Sequence, residues 1–230
     1  MRKLSLSLLA GVTLLVFSGA ALAQARAVTL WWIVFNQSQN CITNPGAVKA
    51  CGAPDVFGQA YLDSLAAGEP DPSLISPNLA ADIAVIHAGG AVTNARGQVR
   101  IVASLYRSNP ADVPLNLGGG SVVDPLGLGN AWTNVDAEVH FVVRDHGRAV
   151  LKDLGTQLTN FLEPNCSDPT LGFVAGPNIC ADVQDALFAP GFSGTVEMGS
   201  FETGEVVPGA RATLYRNGDN LQAFVETRID

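Results

Sequence analysis

Nine residues, Val28 to Asn36 (VTLWWIVFN), constrain the fold more than any other feature of the chain. β-Branched and aromatic residues follow one another without a helical period until Asn36-Gln37-Ser38 stops the run, so the segment reads as a strand. Alternation puts Leu30, Trp32 and Val34 on one face and Trp31, Ile33 and Phe35 on the other. Both faces are apolar. The strand must therefore be central, covered by a second sheet on one side and by a helix or loop on the other. A platform of exposed tryptophans is the alternative, but burial in a core is the ordinary fate of such a run.

The remaining chain supplies more strands than helices. Only 15% of its residues are charged, against 24 glycines and 13 prolines, a balance suited to short apolar strands joined by many turns. Ala81 to Ala88 and Gln98 to Arg107 read as strands flanking a Gly-rich turn region, and Ala137 to Arg144 (AEVHFVVR) as a strand with Val139, Phe141 and Val143 inward. Its other face, Glu138, His140 and Arg144, is expected to be polar and solvated. Asp182 to Phe188, Thr195 to Phe201, Ala210 to Arg216 and Leu221 to Arg228 complete the set, with Asn217-Gly218 as a hairpin turn before the last. Two helices are expected. One is Asp55 to Ala67, capped by Asp55. The other is Arg148 to Leu162, where leucines recur at helical spacing over a candidate cover for the outer tryptophan. Pro110 to Asn134 is a long loop. These elements predict a mainly β chain, a Greek-key β-sandwich with one or two short helices and disulfide-closed loops.

The amino terminus has the pattern of an export signal. Arg2 and Lys3 precede an apolar stretch from Leu4 to Ala20, and Ala21-Leu22-Ala23 forms a small-residue cleavage site. Residues 1–23 are thus expected to be a signal peptide, and 24–230 a single β-sandwich domain whose residues 210–229 form a C-terminal hairpin completing the sheet. No later stretch is apolar enough to be an integral membrane segment. Without Arg2 and Lys3, 11 basic residues face 21 acidic ones, a net charge of −10. Nucleic acid is therefore excluded as a partner, because binding phosphates needs clustered cations. An even count of four cysteines behind such a signal implies disulfides, and the two local pairings, Cys41 with Cys51 and Cys166 with Cys180, need the least loop closure. A secreted or periplasmic location follows.

Four segments together resemble an uncharacterised family of secreted bacterial proteins: VTLWWIVFN running into a cysteine pair, GQVRIVASL, AEVHFVVRDHG, and a cysteine pair followed by ADVQDALF. The resemblance spans most of Val28 to Phe188 and implies no established activity. In that family a strand pair precedes the Trp-Trp strand, where this chain has only Gln24 to Ala27. The likeness therefore implies a circular permutation, with the hairpin Ala210 to Arg228 docked beside Val28 to Asn36. A fainter resemblance is to the chordin-type (CHRD) domain, through Gly127-Leu128 and then Ala137-Glu138-Val139-His140. Glu138 stands where that signature has its first histidine.

Chemistry is sparse. No Gly-x-Ser-x-Gly elbow or P-loop ending is present, and oxidised cysteines supply no thiolate. The one site worth naming is a metal site: Glu138 and His140, two apart on one strand, with His87 as a third ligand. His146, six residues beyond His140, lies too far along an extended strand to join it. Two functions follow. The first is a non-catalytic, secreted binding or structural domain with no cofactor and an unknown extracellular or periplasmic ligand. The second is a metal-binding, redox-capable protein holding a single divalent ion around His140.

Overall fold

The computed structural model describes residues 25–69, 71–107, 131–159, 181–201 and 203–229. Eight antiparallel strands dominate it: β1 (Arg26–Phe35), β2 (Ile83–Val92), β3 (Gln98–Tyr106), β4 (Glu138–Arg148), β5 (Ala181–Phe188), β6 (Gly194–Ser200), β7 (Val206–Asn217) and β8 (Asn220–Arg228). They form one hydrogen-bonded order, β2-β1-β4-β5-β6-β7-β8-β3. Leu30, Trp32 and Val34 of β1 nevertheless share one buried cluster with Leu221, Ala223 and Val225 of β8. The sheet must therefore fold over so that its two halves face each other, as the layers of a sandwich do. The fold line is the β5-β6 seam, where only Gln184↔Ser200 and Asp185↔Gly199 pair. At the opposite side a tight turn joins β2 to β3, with Asn94 O accepting the Gly97 N–H. β2 and β3 are the two ends of the hydrogen-bonded order, so this turn carries the chain from one layer to the other.

The faces of β1 lie as alternation requires. Trp32 packs edge-on against Phe141 at 4.8 Å, and Phe141 against Phe188 at 5.0 Å. Trp31, Ile33 and Phe35 enter a second cluster on the outer side, with Cys41, Cys51, Val56, Ala81 and Val85. The two layers differ in what covers them. The loop closed by Cys41–Cys51 lies over the outer face of β1 and β4, whereas β3 alternates buried and exposed from end to end. Cys166 and Cys180, the Gly-rich part of the loop after Pro110, and residues 1–24 lie outside the described residues.

Three expectations are corrected. The helix expected from Asp55 to Ala67 is two helices, α1 (Ala53–Phe57) and α2 (Gln59–Ala66). They break at Gly58, whose φ of +82° favours glycine and where a Cβ would lie 2.8 Å from Ser76 O. Asp55 is not the cap residue but the third residue of α1. Its carboxylate reaches back to the Gly52 N–H at 3.1 Å and also accepts from Ile42 N–H and Asn78 Nδ2. The helix expected from Arg148 to Leu162 is, among the described residues, only the turn α3 (Leu154–Gln157), because β4 continues through Arg148. Leu151 is 74% exposed, so its helical spacing marks no buried face. Gln157 anchors the turn instead, accepting from Val150 N–H and donating to His146 O and Arg148 O.

The C-terminal hairpin does not dock beside β1. Both edges of β1 are taken, by β2 and β4, while β7 pairs with β6 and β8 with β3. The circular-permutation reading falls with that pairing. Its turn is Gly218-Asp219, flanked by the pair Asn217↔Asn220. Gly218 takes the positive φ, +57°, and Asp219 does not.

Candidate functional site

Glu138 and His140 stand on the outer face of β4, opposite Phe35 and Ile33. They are not solvated, as the strand's polar pattern predicts, but buried at 0% and 5% exposure. The disulfide loop explains the difference. Glu138 Oε2 accepts the Ala50 N–H at 2.9 Å, Oε1 accepts the Cys51 N–H at 3.2 Å, and His140 Nε2 donates to Oε1 at 2.7 Å. A carboxylate engaged in this way fixes the loop to the sheet, and two backbone donors that the loop leaves inside are satisfied. Arg144, also expected on a wet face, is 1% exposed.

His87 does not join that pair. It lies on β2 opposite Trp31, whose other neighbour is Val142, while His140 faces Ile33. The Trp31 ring stands 5.0 Å from the His87 ring. The three expected ligands are thus divided across β1. Among the described residues no group of three or more His, Cys, Asp or Glu side chains is placed to hold a metal ion.

A second buried polar group was not legible in the sequence. Trp31 Nε1 donates to Thr29 Oγ1 at 2.8 Å, and Thr29 Oγ1 lies 2.7 Å from His146 Nε2. Indole nitrogen only donates, so Thr29 Oγ1 accepts that bond, and its contact with His146 Nε2 takes its direction from the imidazole tautomer. Burial drives the His146 pKa down to about 3, and the nearby charges of Arg144 and His87 add to the effect. Burial also lowers His87, against a backbone hydrogen bond with Leu158 that raises it. A hydroxyl against an imidazole is a nucleophile–base geometry. Here both residues are 0% exposed.

This network carries a pH dependence. The unfolded histidine takes up its proton near 6.5 and the folded one only near 3, so between these values the unfolded chain binds more protons. Stability is complete above 6.5 and falls on acidification through that window, by up to about 1.4 kcal/mol per pH unit. Asp55 contributes only lower down. Burial works to raise its pKa, but hydrogen bonds from Asn78, Thr43, Ile42 and Gly52 hold it below 3.8. Urea unfolding followed from neutral pH to about pH 4.5 should show this slope, and His146→Gln should reduce it, leaving the part that His87, also lowered by burial, contributes.

The opposite layer presents a different surface. The outer face of β6-β7-β8-β3 is open to solvent, with Val102 57%, Tyr106 57% and Tyr215 51% exposed. A shallow cleft of about 270 Å³ crosses it, lined by Arg100, Arg211, Thr195, Thr213, Tyr215 and Phe224. The Tyr215 and Phe224 rings meet edge-on at 5.8 Å. No protein-family model, curated protein or solved structure matches the chain. Its function must be argued from these surfaces. No helix among the described residues is long and apolar enough to cross a membrane.

Proposed function

We propose that this chain is a secreted, non-catalytic binding or structural β domain that meets its partner through the open face of β6-β7-β8-β3. The observation that carries this reading is the unequal treatment of the two layers. Glu138 and His140 are buried and engaged with each other beneath the disulfide loop, and His146 is buried against Thr29, while aromatic and charged side chains stand exposed on the uncovered layer. Exposed apolar residues rimmed by polar ones mark interaction surfaces more often than catalytic ones. The Cys41–Cys51 disulfide supports an oxidising compartment, as does the export pattern of residues 1–23.

The second reading, a metal-binding protein centred on His140, keeps one observation in its favour, the contact between Glu138 and His140. Metal analysis of the purified, dialysed protein separates the two. The binding-domain reading expects no stoichiometric metal. A stoichiometric divalent ion that disappears in His140→Ala would replace it with the metal-binding reading.

A further inference from the structure

Strand register places charges on the open face in a row. Arg100 of β3 pairs with Glu226 of β8, Glu226 with Arg211 of β7, and Arg211 with Glu197 of β6. All four are exposed, and Arg100 Nε lies 3.4 Å from Glu226 Oε1. Across four adjacent strands the row reads plus, minus, plus, minus. The row two residues along each strand reads Val102, Phe224, Thr213, Thr195. It carries no charge, and Thr213 and Thr195 hydrogen-bond to each other at 2.7 Å.

Such a row is antisymmetric about its middle. A two-fold axis parallel to the strands, between β8 and β7, reverses its order and lays it on itself. Arg100 then meets Glu197 of the second copy, and Glu226 meets its Arg211. The same operation sets Phe224 over Thr213 and Val102 over Thr195. Each charge of the row faces its opposite and the uncharged row faces itself, which is the self-complementarity that a two-fold interface requires. We infer that this face is a homodimer surface, two copies packing sheet on sheet. The inference rests on the proposal that the open layer is the interaction surface, and it names the partner.

Two further observations favour a second copy over other occupants. The chain carries a formal charge of −8, so most approaches between copies are repulsive. This row sums to zero and escapes that penalty. An anionic ligand fits poorly, since Glu226 stands between the two arginines and Glu197 lies beside Arg211. Four strands about 4.8 Å apart and some eight residues long offer on the order of 500 Å² per copy. That is below the roughly 800 Å² per partner of a standard interface, so the dimer is reversible and weak.

Sedimentation velocity on the full mature chain, from about 5 to about 500 μM, tests this. The expected result is a concentration-dependent monomer–dimer equilibrium. Arg211→Glu, which sets like charges opposite each other, should weaken it about tenfold or more, with an unchanged melting temperature showing that the fold survives. The double variant Arg211→Glu with Glu226→Arg restores opposite charges across the axis and should recover most of the association. A monomer at every concentration overturns the inference, and so does a dimer indifferent to both variants. Either result leaves the binding-domain reading standing, because that reading fails on metal content instead.

Discussion

Trp32→Ala lowers stability by about 3–5 kcal/mol and abolishes accumulation of folded protein. The magnitude follows from position. Trp32 is 1% exposed in the fold's larger cluster, its ring edge-on to Phe141, which in turn meets Phe188. Removing the indole leaves a cavity between β1, β4 and β5 that neighbouring rings cannot fill without leaving their rotamers. Marginal domains hold only about 5–15 kcal/mol in all, so the loss consumes a large share. Phe141→Ala should cost a similar amount, and together the pair should be non-additive because the two rings touch. Denaturant unfolding monitored by tryptophan fluorescence measures each cost. A Trp32→Ala protein that unfolded like the wild type would contradict the assignment of the inner face.

Glu138→Ala is expected to cost about 3–5 kcal/mol, chiefly by releasing the disulfide loop. Without the carboxylate, the buried Ala50 and Cys51 N–H groups lose their acceptor and His140 loses the oxygen its Nε2 meets at 2.7 Å. Glu138→Gln should cost less. An amide oxygen still accepts from one backbone N–H, while the amide nitrogen presents a donor to donors. The effect should be local, so hydrogen exchange is the sharper readout. Fast exchange confined to the segment around Cys41–Cys51, with the strands of the opposite layer still protected, is the expected pattern. Uniform loss across the whole sheet would mean that Glu138 supports the core and not the loop.

Local pattern carried much of the fold and little of the site. The two faces of β1 could be read from alternation, because side-chain direction in a strand has a period of two whatever the tertiary context. The last hairpin and its Gly218 turn were equally local. Burial of Glu138, His140 and Arg144 was not legible. Polar alternation on β4 looks the same whether water or a loop lies over it, and over Glu138 the cover comes from Ala50 and Cys51, nearly 90 residues earlier. The Thr29–His146 contact joins residues 117 apart and leaves no mark in either segment. The leucines after Arg148 misled because spacing reports a possible face, and here the buried anchor is the polar Gln157. The docking of the hairpin misled for another reason. A strand's apolar pattern says that it pairs, not with which edge, and β1 had no edge left.

The claim that partners meet the open layer can be tested by placing a photo-crosslinking residue at single surface positions of the protein in its native cell. Val102 and Tyr215 report on the open face, and Ile42 and Leu79, 60% and 66% exposed, report on the apolar surface beside the disulfide loop. Discrete cross-linked species from the Val102 and Tyr215 positions, with none from Ile42 and Leu79, are the predicted result. Cross-links from Ile42 and Leu79 alone would contradict it and place the interaction surface on the covered layer.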